Sequence, residues 1–160
     1  MMVGDYIIDR LVKQNIFYGF GYLSKNINKL SYYANRNNKF SLIKNYNEES
    51  SAYSAITYTL INNKPGLLLN NSNDGFKNIE KPLYKNYINN KPIFLITLYR
   101  NEFYIKNNFI EKYIKKTYNI FDDVDKFPNN FESILLNSCK YTVHLKIKED
   151  ILSKNINLDN

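Results

Sequence analysis

"FSLIKNYNEESSAYSAITYTLINNKPGLLLN", residues 40–70, sets the architecture. The run "FSLI" at 40–43 is short and apolar and reads as a strand. Beyond it, Ala52, Ala55, Ile56 and Leu60 recur at the spacing that places them on one helical face. Pro65-Gly66 ends that helix, because Pro lacks the amide hydrogen a helix interior needs. "LLL" at 67–69 has no polar residue to turn toward water, as expected of a strand covered on both faces. Strand, helix and buried strand in succession predict a parallel βαβ unit.

Working outward, the same alternation continues. Residues 5–14 carry Ile7, Ile8, Leu11 and Val12 at helical spacing, with Asp5 as the cap. "IFYGFG" reads as a strand ending at Gly21. Downstream, "NSNDGFKN" is a turn, residues 76–88 are a weaker helix, and "PIFLITL" at 92–98 is the clearest strand. Residues 105–116 look helical, with Ile105, Phe109 and Tyr113 at fourfold spacing. "FDDVDKFP" is a loop. Phe131, Ile134 and Leu135 mark a helix capped by Asn129 or Asn130, and "YTVHLKI" at 141–147 is the last strand. Short apolar strands separated by helices predict an α/β fold, a mainly parallel sheet with helices on both faces. "LLL" and "IFLITL" are its expected central strands. No repeat or linker divides residues 1–160, which are read as one domain.

Composition narrows the function classes. The chain has 160 residues, 44% of them hydrophobic and 23% charged, an ordinary balance for a packed domain. Asn, Ile, Lys and Tyr are heavily used while Trp is absent, a pattern that fits an AT-rich genome such as that of a protist, a bacterium or a large DNA virus. The formal charge of +7 favours anionic partners. The lysines are scattered, however, so a solvated surface is preferred over a nucleic-acid site. One cysteine, Cys139, and one histidine, His144, exclude a disulfide framework, a Cys/His zinc site and a triad with a spare histidine. Cys139 is read as a small buried hydrophobe. The start "MMVGDYIIDRLVKQ" lacks a signal-peptide core and no apolar run approaches a membrane span, so an intracellular, cytoplasmic protein with no membrane partner is expected, or a virion or viral-factory protein if the source is viral.

Parallel sheets bind ligands beyond the carboxyl ends of their strands. Segments from Gly21, Asn45 and Asn70 stand there, and the second holds the adjacent acids Glu48 and Glu49 ahead of small residues. Taken by pattern alone, acids at a helix N-terminus complement the helix dipole.

Further residues carry a resemblance. "GDYIIDRLVKQNIFYGFGY" is similar to the opening helix and first strand of the thiamine-diphosphate enzymes of the acetolactate synthase and pyruvate oxidase group. "FSLIKNYNEESSAYSAITYTLINNKPGLLLNNSNDGFKN" follows, without a gap, their pattern of strand, glutamate, small-residue helix, Gly-Lys-Pro-Gly, strand and Gly-Pro-Gly-x-x-Asn. The register continues to "PIFLIT", and "VHLKIKEDI" falls on the closing strand. From about Gly4 to Ile151 the chain thus resembles the N-terminal, pyrimidine-binding domain of those enzymes.

The resemblance implies thiamine diphosphate with magnesium as cofactor and Glu48 as the catalytic glutamate. In that family the carboxyl hydrogen-bonds the aminopyrimidine ring and favours its imino tautomer, which removes the thiazolium proton. Tyr22, Gly75 and Asn78 fall on cofactor-binding positions. Departures are equally plain: Leu23-Ser24-Lys25 replaces a Pro-Gly-Gly, Asn73-Asp74-Gly75 keeps only the last glycine of its turn, and Leu98-Tyr99 replaces a Gly-Gln. The family's diphosphate and magnesium ligands, Gly-Asp-Gly with a distant Asn pair, belong to a second domain, and this chain ends near where the first would. Asn73-Asp74-Gly75 with Asn101 mimics that metal motif in spacing, but without the first glycine, so no metal ligands are assigned. Read as an EF-hand, the same loop fails at Lys81.

The expectation is a pyrimidine-binding domain that is degenerate and inactive alone. It forms a homodimer through the alanine- and serine-faced helix from Ser50. Alternatives are half of a split 2-oxo acid decarboxylase or acetolactate synthase type enzyme with a separate diphosphate-domain subunit, or a basic virion or nucleic-acid-associated protein using the fold as scaffold.

Overall fold

The computed structural model describes residues 1–22, 27–70, 73–100, 108–120 and 123–157. Its strands are β1 (Tyr18–Tyr22), β2 (Ser41–Asn45), β3 (Gly66–Asn70), β4 (Ile93–Tyr99), β5 (Lys116–Ile120) and β6 (Val143–Lys148). The helices are α1 (Val3–Lys13), α2 (Ile27–Ala34), α3 (Glu48–Asn62), α4 (Asn73–Ile88) and α5 (Phe127–Ser138), and among the described residues 3₁₀ stretches lie at Asn108–Tyr113 and Glu149–Ser153. All pairings are parallel, in the order β2-β1-β3-β4-β6-β5.

β3 and β4 are buried at every position and lie at the centre, as their almost wholly apolar sequences require. Alternate residues feed two cores. Leu67, Leu69, Phe94 and Ile96 pack with α1, α2 and α5 through Ile7, Leu11, Leu30 and Phe131. Leu68, Ile93 and Leu95 point the other way, against Ala55, Ile56 and Ile79 of α3 and α4.

The small residues of α3 have their reason here. Ser51, Ala52 and Ala55 are fully buried within the chain. Thr59 Oγ1 donates to Ala55 O (3.0 Å) and accepts the Gly66 amide (2.7 Å), pinning the helix to the head of β3. A side chain at Gly66 would run into the Ala55 carbonyl, so helix and strand touch backbone to backbone. Of the alanine- and serine-faced surface expected to pair two copies, Ala52 and Ala55 thus pack on the chain's own sheet, while Ser50 and Ser54 are only partly buried.

Several local expectations are corrected. α1 starts at Val3, so Asp5 sits within its first turn and pairs with Arg36 at 3.5 Å instead of capping. The stretch read as a turn at 71–78 is largely helix, because α4 already begins at Asn73; Asn and Asp serve helix starts as readily as turns. Lys126 precedes α5, and Pro128 lies in its first turn, where a missing N–H costs nothing; Asn129 and Asn130 are interior. Of the helix expected at 105–116, residues 105–107 lie outside the described set. Asn108–Tyr113 is a 3₁₀ stretch, and Lys116 opens an edge strand instead. Cys139, expected to be buried, is exposed. Among the described residues, no helix is long and apolar enough to cross a membrane.

The chain leaves β1 toward α2 on one face and β3 toward α4 on the other. Connections that diverge between neighbouring strands open a crevice at their carboxyl ends, here between β1 and β3.

Candidate functional site

Two helix N-termini meet at this crevice. α3 starts from Asn47, whose backbone is extended and whose side-chain Oδ1 accepts the Ser50 amide at 2.8 Å, while Ser50 Oγ accepts the Asn47 amide at 3.3 Å. This reciprocal cap fixes the first turn of α3 and the direction in which Glu48 departs. α4 arrives from the end of β3, and Gly75 in its first turn faces Asn70 and Glu48. A Cβ there would collide with Asn70 Oδ1 and come within 3.2 Å of Glu48 Cγ. The glycine is what lets the two first turns close up.

Across that contact Asn78 Nδ2 donates to Glu48 Oε2 at 3.3 Å. Glu48 is half-buried, and among the described residues no lysine or arginine lies within ion-pair distance of it. Its partner is a neutral amide. A carboxylate not tied to a fixed cation is free to exchange a proton with a ligand. The Glu49 side chain makes no hydrogen bond or ion pair among the described residues.

Of the four residues singled out from sequence, Glu48, Gly75 and Asn78 are thus brought together. Tyr22 ends β1, 40% exposed and opposite Asn45 in the parallel register. Two asparagines were missed. Asn70, 1% exposed at the end of β3, lies against Gly75. Asn45 donates to Ser54 Oγ at 3.1 Å, while its buried Oδ1 accepts nothing among the described residues. An asparagine ending an apolar strand was the available signal. Asn101, part of the spacing that mimics a metal motif, lies outside the described residues. Among those described, no group of three or more His, Cys, Asp or Glu could hold a metal ion.

Gly75→Ala tests the close approach. The obstructing atom is the tip of a side chain, so the chain should still fold, losing about 1–2 kcal/mol in urea denaturation. The Asn78 side-chain amide resonances should shift as its bond to Glu48 opens. Unchanged resonances would mean that Gly75 does not set this contact.

A doubly wound parallel sheet with a carboxylate at the crevice between β1 and β3 is an α/β fold whose candidate site lies at its topological switch point. Residues 1–120 match the family model of the thiamine pyrophosphate enzyme, N-terminal TPP binding domain, and the chain belongs to that family. No curated protein sequence matches it. Among solved structures, it is similar to a protein from Mycobacterium smegmatis assigned as a thiamin diphosphate-dependent enzyme, at TM-score 0.84 and 18% identity. It is similar also to the thiamine diphosphate-dependent 4-hydroxybenzoylformate decarboxylase of Rhodococcus jostii RHA1, at TM-score 0.86 and 12% identity. Each likeness covers 98% of this chain and 32% of the other, so the chain spans about a third of their length. At such identities the shared property is the fold.

Proposed function

We propose that this domain is the pyrimidine half of a thiamine diphosphate site and is inactive by itself. The observation that carries this is the Glu48 carboxylate, held by Asn78 across Gly75 at the carboxyl end of the sheet. The residues fit the role: a half-buried acid with a neutral partner can offer or accept a proton at a ring nitrogen. When bound, the cofactor supplies a thiazolium carbon whose acidity depends on its own aminopyrimidine. Glu48 would hold the proton at the pyrimidine ring, Asn78 would fix the rotamer of that carboxyl, and the α3 cap would keep its first turn rigid.

The other half of the site, the diphosphate and magnesium ligands, is assigned to a different domain, on another chain or elsewhere in a longer one. One feature supports this: the Gly-Asp-Gly motif with its distant Asn pair is absent from residues 1–160. The bulky Leu23-Ser24-Lys25 and Leu98-Tyr99 at positions the family keeps small support weakened cofactor binding.

The test is a titration of isotope-labelled chain with 4-amino-5-hydroxymethyl-2-methylpyrimidine and with thiamine diphosphate, with and without magnesium. Both ligands should shift Gly75, Asn78 and the residues around Glu48, weakly and independently of magnesium. Glu48→Gln should weaken this by roughly tenfold, the worth of a hydrogen bond to a charged group. No shift at these residues at saturating ligand, or micromolar magnesium-dependent binding by the chain alone, overturns the reading.

A further inference from the structure

At the opposite end of the sheet, where the chain enters β4, β5 and β6, lies a cavity of about 280 Å³. Its floor is Asn86, 1% exposed in the last turns of α4. Asn86 Nδ2 donates to Lys91 O at 2.8 Å and to Thr142 Oγ1 at 3.3 Å, which fixes the orientation of the amide. Its Oδ1 is then left buried with no donor among the described residues. Burying a carbonyl oxygen unpaired is costly, so a donor from outside the fold would be favoured there.

The rest of the lining combines lysines and tyrosines with Asn90, Ile114 and Thr142. Lys91, Lys112 and Lys115 border the cavity, and no acid does. Lys112 is engaged, bridging to Glu80 at 3.3 Å and lying 4.8 Å over the Tyr113 ring. Lys91 and Lys115 have no carboxylate partner among the described residues. Tyr87 and Tyr113 form one wall with ring centroids 6.0 Å apart, and Tyr141 contributes a third ring.

We propose that this cavity binds a nucleoside monophosphate. Two uncommitted ammonium groups suit one phosphate, tyrosine rings suit the face of a single heterocycle, and the buried amide oxygen suits an exocyclic amino group. The volume, a little below the roughly 300–1,000 Å³ of most small-molecule sites, suits a small ligand. The site is independent of Glu48, which lies at the other end of the strands.

The experiment titrates labelled chain separately with adenosine 5′-monophosphate, adenosine, inorganic phosphate and an eight-nucleotide oligothymidylate. The monophosphate should bind saturably, with a Kd of about 1 mM or tighter. It should shift the Asn86 side chain, Asn90 and Thr142 while leaving Gly75 and Asn78 unmoved. Replacing Lys91 and Lys115 together by Gln should weaken the monophosphate about tenfold and leave adenosine unchanged. The proposal is overturned by failure to saturate, by shifts centred on Gly75 and Asn78, or by phosphate alone binding as well as the nucleotide. Tighter binding of the oligonucleotide, with shifts spread over lysines outside the cavity, would overturn it in favour of a nucleic-acid surface.

Discussion

Gly66→Ala is expected to remove about 3 kcal/mol or more of folding stability, a large share of the roughly 5–15 kcal/mol that holds a domain together. The added methyl would strike the Ala55 carbonyl oxygen and stand 2.6 Å from its carbon, and neither is a side-chain tip that can swing aside. Relief would have to come from lifting α3 off β3, which would also stretch the 2.7 Å bond from the Gly66 amide to Thr59 Oγ1. Urea denaturation of the two proteins measures the difference. A loss below about 1 kcal/mol would show that helix and strand have slack that the close packing does not suggest.

The second large effect is acid sensitivity centred on His144. The ring is completely buried on β6, with Nε2 2.8 Å from Thr97 Oγ1, Phe76 edge-on at 5.6 Å and Nδ1 without a partner among the described residues. Burial, and secondarily the charge of Lys146, hold its pKa well below the ordinary 6.5. With the native pKa depressed, the unfolded chain takes up a proton first as pH falls. The contribution to stability is whole above pH 6.5 and is lost downward from there, at about 1.4 kcal/mol per pH unit until the native pKa is reached. Stability at pH 5 should therefore lie below that at pH 6.5, by at most about 2 kcal/mol. His144 is the sole histidine, so His144→Gln should flatten this stretch of the curve. Parallel curves for the two proteins would rule the histidine out.

The middle of the sheet was legible because β3 and β4 are almost wholly apolar, as strands covered on both faces are. β5 was hidden for the converse reason. "KTYNI" lies at the sheet edge with one side to solvent, and Lys116 is the kind of residue that keeps an edge from pairing further. The start of α4 was hidden because Asn, Asp and Gly serve turns and helix N-termini alike. Glu48 stood out as a carboxylate before a small-residue helix, and the register to Gly75 and Asn78 came from resemblance rather than spacing. Asn45 and Asn70 did not stand out because asparagine is everywhere in this chain, so its placement at a strand end carries little contrast. The burial of Ala52 and Ala55 under their own sheet depended on how closely α3 approaches Gly66, a distance that a helical wheel does not contain.

The two ends of the domain are stitched together. Val3 N donates to Lys154 O at 3.0 Å and Ile156 N to Met1 O at 2.9 Å, around an antiparallel bridge between Met2 and Asn155. Such a stitch closes a loop of nearly the whole chain, and the entropy of that closure means it can form only once the sheet has already brought its ends together. It is therefore a latch rather than a nucleus. Pulled apart by its ends, the domain would give way here first, one backbone bond after another, before any load reached the six-stranded sheet.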